Sequence, residues 1–438
     1  MRRRSPDGLS HYHAGFATVL ADPLMTPQQI LGQTLVLPNG SVLKNRIAKS
    51  AMSEALGTTD NRPTDRLERL YGAWADGGIG LCITGNVMID RSAIGEPNNV
   101  AIEDEADLQA LSRWAAAGTR NGTALWMQLN HPGKQAPKGL NRETVSPSAI
   151  PFRKDMAAFF ATPRALSGAE IEELIGRYAR AAAIAQKAGF TGVQIHGAHG
   201  YLVSQFLSPH HNQRSDEWGG SPENRRRFVL AVLAAIRKAV GASFPIGIKL
   251  NSADFQRGGF TEEESLATIQ ALVAAGIDLV EISGGTYEAP AMTGVMKATS
   301  RAREAYFLEF AEKVRATVQV PLVVTGGFRS LAGMSTAITS GAVDLVGIAR
   351  SLAIEPDLPA RLLRGEEPLH TVRPINTGIK MIDRMALMEV AWYSRQLRRI
   401  GDGRAPKPNE SGLSSFAIGL LENGWHTFKT KRLRAASV

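Results

Sequence analysis

The chain has 438 residues, 44% of them hydrophobic, and a formal net charge of +9. That length holds one large domain with appendages, or two domains. Cys82 is the one cysteine; it excludes a disulfide framework and a cysteine-ligated iron–sulfur cluster, and makes a cytoplasmic location the simplest expectation.

In chain order, MRRRSPDGLSHYHAGF is basic with no continuous apolar core after it, so residues 1–30 read as a loose tail rather than a signal peptide. Next, 35-LVLPNGSVL-43 sets Asn-Gly between apolar arms, a hairpin signal. A pattern then recurs: an alanine-rich helical segment, a glycine, a short apolar run, and small or polar residues. It appears in 73-AWADGGIGLCITG-85, 183-AIAQKAGFTGVQIHG-197, 271-ALVAAGIDLVEISGG-285 and 337-AITSGAVDLVGIAR-350. Glycine past a helix accepts the left-handed conformation that ends it. The apolar runs do not alternate cleanly, as strands buried on both faces do not. With 46-RIAKSAMS-53, 123-TALWMQLN-130, 244-FPIGIKLN-251 and 320-VPLVVTGG-327, eight candidate strands emerge.

Eight βα units indicate a (β/α)8 TIM barrel over residues 31–368, plugged below by the hairpin. A doubly wound sheet is the second reading, weakened by the absence of G-x-G-x-x-G after any strand. In a barrel the carboxyl ends of the strands form the active rim. Those ends are Ser53, Thr84, Gln128, His196, Lys249, Ser283, Gly326-Gly327 and Ala349-Arg350.

Gly326, Gly327 and Arg350 fall where such barrels bind phosphate; their bland alternatives are a tight turn and a surface ion pair. Gln128 donates and accepts at once, which suits an amide-like heterocycle or a buried hydrogen-bond partner. Lys249 offers charge to a ring that becomes anionic, or pairs with a carboxylate such as Asp254. His196, His199, His210 and His211 make zinc hydrolysis a competitor. A catalytic zinc wants three protein ligands, often including a carboxylate, and none lies between these histidines. The other readings are N–H donors for an oxyanion with Tyr201 as proton donor, or capping histidines and a packed tyrosine. No metal is expected.

After the barrel, residues 369–438 read as a helical extension. Within it, 378-GIKMIDRMALMEVAWYSRQLRRIG-401 is amphipathic through Met381, Ile382, Met385, Met388, Val390 and Trp392. It packs on the barrel wall, or covers a dimer contact or the substrate mouth. A later segment, 415-SFAIGLLENGWHTF-428, has little charge for a membrane-surface helix. Positive charge gathers at the ends, in Arg2, Arg3, Arg4 and 427-TFKTKRLRAASV-438. No nucleic-acid motif accompanies it, and no apolar run reaches the roughly 20 residues of a bilayer span. The partners expected are therefore small molecules, with no nucleic acid and no membrane; a homo-oligomer stays open.

At this point 189-GFTGVQIHGAHGYLVSQFLSPHHNQRSDEWGGSPENRRRF-228 resembles the Old Yellow Enzyme family of FMN-dependent ene-reductases and NADH:flavin oxidoreductases almost throughout. Its likeness is extended by 126-WMQLNHPGKQ-135, 322-LVVTGGFRS-330 and 343-VDLVGIARSLAIEPDLP-359, over about residues 30 to 365. The resemblance implies tightly bound FMN, with NAD(P)H as a transient hydride donor and an electrophilic alkene as substrate. It implies that Ala51, Met52, Ser53 and Asn86 line the isoalloxazine. Gln128 bonds its pyrimidine edge, and Lys249 lies near N1 and the C2 carbonyl. Gly326 and Gly327, with Ala349 and Arg350, serve the phosphate. His196 and His199 bond the substrate carbonyl, and Tyr201 protonates the α-carbon. Several residues depart from the family pattern: Ala51 for proline, Ser53 for threonine or cysteine, Lys249 for arginine, Ala349 for glycine, and Asn130 for an aromatic. The resemblance also implies a single-barrel member, without the iron–sulfur and dinucleotide domains of larger relatives.

Overall fold

The computed structural model describes residues 25–286, 288–289, 307–370, 372, 375, 387–415, 417–418 and 421. Eight strands form its centre: β1 Ile47–Lys49, β2 Leu81–Ile83, β3 Ala124–Asn130, β4 Gly192–Gly197, β5 Ile246–Asn251, β6 Leu279–Ser283, β7 Leu322–Thr325 and β8 Leu345–Ile348. Each pairs in parallel with the next, and β8 pairs with β1, so the sheet closes into a barrel. Closure rules out the doubly wound alternative, whose sheet has two free edges. All eight expected strands are present.

A helix follows each strand: α1 Asp65–Asp76, α2 Leu108–Gly118, α3 Gly168–Ala188, α4 Pro222–Val240, α5 Glu262–Ala274, α6 Leu308–Arg315, α7 Leu331–Thr339 and α8 Leu358–Leu363. Their boundaries follow local chemistry. Ser167 opens α3 by accepting from Glu170 N, while the Glu170 carboxylate bonds back to the Ser167 N–H. Gly189 closes α3 at φ 96°, a conformation that costs a residue with a Cβ. Among the described residues no helix is long and apolar enough to cross a membrane.

The barrel interior is built in layers because alternate strand residues point inward. Its lower layer is apolar: Ala48, Leu81, Ile83, Trp126, Leu279, Val323 and Leu345. The expected hairpin forms, with Leu35 opposite Leu43 and Val36 opposite Val42. Its Leu35, Leu37 and Leu43 join that layer and close the barrel floor. Trp126 fills the bore. A Cβ on Gly192 would lie 2.5 Å from its indole nitrogen, and one on Gly247 would lie 2.7 Å from its ring. Two residues above Trp126 the interior turns polar, with Gln128, Gln194, Lys249 and Glu281 all buried.

After the barrel, α9 (Leu387–Gly401) is the described part of the expected amphipathic helix. Its Trp392 and Leu397 are buried. Arg66 pairs with Asp402 at 2.7 Å, and Arg69 Nε donates to the Gly401 carbonyl at 2.6 Å, which fixes its far end on α1. Met381, Ile382 and Met385 lie outside the described residues, as do residues 1–24 and 422–438.

Candidate functional site

Gln128, Lys249 and Glu281 sit one layer below the rim, because β3 and β5 run on to Asn130 and Asn251. The register joins them. Gln128 lies opposite Gln194, and Lys249 opposite Glu281, so each pair projects inward at one height. Gln128 Nε2 donates to Gln194 Oε1 at 2.7 Å, and Gln194 Nε2 donates to Glu281 Oε2 at 2.7 Å. Lys249 Nζ is 3.0 Å from Glu281 Oε1, which also accepts from Thr325 Oγ1 at 2.7 Å. Lys249 therefore pairs with Glu281, not Asp254. Asp254 lies in the loop beyond β5 and accepts from Asn251 Nδ2 at 3.1 Å and Phe260 N at 3.0 Å. Glu281 is fully buried, yet its carboxyl is held below the usual range: burial raises it, and Lys249 with the hydrogen bonds outweighs that.

Beside and beyond this layer stand the two imidazoles. His196, next to last in β4, lies beside Lys249 in the register, and His199 follows at φ 62°, an uncommon conformation for a residue with a side chain. The loop is held there by Asn251, whose Oδ1 accepts from His199 N at 3.2 Å, and by a parallel bridge to Thr286. The rings are 5.1 Å apart at 87°. Burial, then His199 and Lys249, push His196 well below the ordinary imidazole range. Burial and Lys249 push His199 down to about 3. Both rings are therefore neutral at physiological pH, with one N–H each.

A backbone hydrogen bond assigns the proton of His196. His196 Nδ1 accepts from Ala198 N at 3.3 Å, which leaves the proton on Nε2. His199 Nε2 is 2.7 Å from Ser283 Oγ. Whichever of the two donates, this contact fixes the orientation of the His199 ring. Tyr201 packs against His196 with ring centroids 4.7 Å apart, and its oxygen accepts from Asn86 Nδ2 at 3.4 Å. Asn130 Nδ2 in turn donates to Asn86 Oδ1 at 3.3 Å. His196, His199, Tyr201 and Asn86 thus form one cluster over the Gln128–Lys249 layer.

The remaining expected residues occupy the β1, β7 and β8 ends. Ala51, Met52 and Ser53 follow β1; Ser53 donates its hydroxyl to partly buried Glu96, whose carboxyl desolvation pushes up. Gly326 and Gly327 leave β7 at φ 110° and 93°, a pair of left-handed residues that only glycine adopts readily. Ala349 and Arg350 follow β8. The Arg350 guanidinium pairs with Glu389 of α9, and Ser394 of the same helix donates to the Ser53 carbonyl at 3.0 Å. The C-terminal helix therefore reaches the β1 and β8 ends, a placement its amphipathic pattern alone left open.

These donors fit FMN. An amide and an ammonium face the same level of the bore, small or apolar residues line the β1 side, and the glycine pair frees backbone at the phosphate end. Arg350 fits with one qualification of chemistry: its charge is already shared with Glu389. Sequence reasoning missed Gln194, Glu281 and Asn251 as parts of the site, and named Ser283 only as a strand end. Alternation in VQIH, IKLN and VEIS carried the signal, since each lies two residues from a residue already singled out.

Residues 37–368 match the NADH:flavin oxidoreductase / NADH oxidase family. The chain is 37% identical over 407 residues to the NADH-dependent flavin oxidoreductase iccE of Talaromyces variabilis, covering 84% of this chain and 98% of that protein. It is 38% identical over 355 residues to iliE of Neonectria sp. (strain DH2), covering 75% of this chain but 46% of that longer protein. Among solved structures, the old yellow enzyme homologue from Zymomonas mobilis superposes with a TM-score of 0.66 at 26% identity, covering 78% of this chain and 94% of that one. The chain belongs to the NADH:flavin oxidoreductase / NADH oxidase family, the family of the Old Yellow Enzymes.

Proposed function

We propose that this protein is an FMN-dependent oxidoreductase that takes reducing equivalents from NAD(P)H and reduces the activated C=C bond of an α,β-unsaturated carbonyl compound. The observation that carries this reading is the pair of buried, neutral imidazoles of His196 and His199 packed together beside the Tyr201 phenol. FMN, when bound, supplies the hydride that reaches the β-carbon. Gln128 and Lys249 would hold its ring, and Gly326, Gly327, Ala349 and Arg350 its phosphate. The relatives named NADH-dependent favour NADH as donor.

The chain's own groups handle the other half of the reaction. His196 Nε2–H and the His199 ring donate to the carbonyl oxygen, which gains negative charge as the β-carbon accepts hydride. Neutral donors suit this task, because burial makes each bond strong without requiring a proton to be given up. Tyr201 then transfers its phenolic proton to the α-carbon, and Asn86 steadies the oxygen left behind. One hydride and one proton add across the double bond, two electrons in all.

The test is an absorption spectrum of the purified protein. A flavin band that NADH or NADPH bleaches anaerobically, and that an enone such as cyclohexenone restores, is expected. Zinc without flavin, or a flavin that neither nucleotide reduces, would overturn the reading. His196→Ala should keep the flavin band and bind phenolic ligands at least about 10-fold more weakly; unchanged affinity would make these histidines structural.

A further inference from the structure

Apart from the rim cluster, a second group of side chains converges at the loops after β4 and β6. His210 and His211 lie on a turn beyond the short helix Leu202–Leu207, with ring centroids 4.8 Å apart at 79°. Glu288 arrives from the loop after β6. One nitrogen of each ring and one carboxylate oxygen all lie within 4.8 Å of one another. We infer that His210, His211 and Glu288 form a binding site for a divalent transition-metal ion such as Zn²⁺. The carboxylate that the histidine spacing lacked is supplied by a different strand end.

Three observations carry this. His211 Nε2 and Glu288 Oε2 are 3.7 Å apart, beyond a hydrogen bond. A tetrahedral ion with bonds of about 2.1 Å holds its donor atoms roughly 3.4 Å apart, so closure needs shifts of about 1 Å or less. Glu288 Oε2, which faces His211 Nε2, is buried without a hydrogen-bond partner, where native structures normally supply one. Finally, the carboxylate is held from behind. Its Oε1 accepts from Arg153 N at 3.1 Å, and Arg153 Nη1 donates to the Glu288 carbonyl at 3.0 Å, which leaves Oε2 facing the histidines. His210 is only partly buried and gives the ion a path in.

Lys134 is the competing cation. Its ammonium lies 3.9 Å from Glu288 Oε2, bonds the Ile150 and Pro151 carbonyls at 3.3 and 3.4 Å, and sits 4.2 Å over the Phe152 ring. It offsets the carboxylate from one side without filling the gap to His211. A bound ion would repel it, and would clasp the β4 loop to the β6 loop, whose Thr286 bridges His199.

The experiment titrates the purified holoprotein, stripped by chelator, with ZnCl2 against a chromophoric competitor. One equivalent should bind. Glu288→Gln and His211→Gln should each weaken binding at least about 10-fold. Lys134→Met should tighten it at least about 10-fold by removing a like charge, an outcome that misfolding cannot mimic. Absence of stoichiometric zinc in the parent protein overturns the site. So does unchanged affinity in Glu288→Gln, or failure of Lys134→Met to bind more tightly.

Discussion

Glu281→Ala isolates the central interaction of the barrel interior. The carboxylate meets Lys249 Nζ at 3.0 Å and accepts from Thr325 and Gln194, each at 2.7 Å. At an effective dielectric of about 20, two unit charges at that distance attract by about 5 kcal/mol. Removing one member of a buried pair strands the other, at a typical cost of about 3–5 kcal/mol. A loss of about 4 kcal/mol is therefore expected. The unfolding entropy of a domain this size is roughly 0.7 kcal/mol/K, so the melting temperature should fall by about 6 °C. Calorimetry or circular dichroism reads this directly. The variant Glu281→Ala/Lys249→Met removes the stranded ammonium and should regain about 2 kcal/mol or more. A fall below about 1.5 °C in the single variant, or no recovery in the double one, would refute the idea that Glu281 is the obligatory counter-charge of Lys249.

Ser283→Ala should leave the flavin band in place but weaken phenolic or enone ligands by about 10-fold, because His199 loses the hydroxyl that fixes its ring; equal affinity would show that Ser283 does not position His199. Stability should also respond to mild acid. Burial holds His131 at about 4, His199 at about 3, and His196 and His211 well below the ordinary range. In the unfolded chain these rings titrate near about 6.5. Below that pH the unfolded state binds more protons, so the stabilisation is full above about 6.5 and is lost as pH falls, by about 2 kcal/mol per histidine at pH 5. A urea midpoint that does not drop between pH 7 and 5 would show that the imidazoles are not held neutral.

The barrel was legible because its strands announce themselves locally: each apolar run is bounded by glycine or a polar rim residue, and eight such runs leave little topological choice. His196, Gln128 and Lys249 were legible for the same reason, as polar residues at the ends of apolar runs. What stayed hidden depends on register between strands far apart in sequence. Nothing local tells that Lys249 faces Glu281 rather than Asp254, only five residues away, because the pairing is fixed by β5 lying beside β6. Glu288 meeting His211 is hidden likewise, since loops from two strand ends must fold over the same rim. Arg350 looked like a phosphate-binding residue from its place after β8. That it also receives Glu389 depends on where a terminal helix docks, which amphipathicity does not specify.

Trp126 carries a consequence for how this barrel can change. Its indole leaves no room for a methyl group on either Gly192 or Gly247, so three positions on three strands share one allotment of volume. No one of them can be exchanged freely: alanine at either glycine is tolerable only once the indole has given way to a smaller ring. An exchange at this floor is therefore a coupled change, in which the indole must yield space before either neighbour can grow. The layer of Gln128 and Lys249 rests directly on that floor. Its height in the bore is thus inherited with Trp126, and variation in chemistry is channelled to the positions above it.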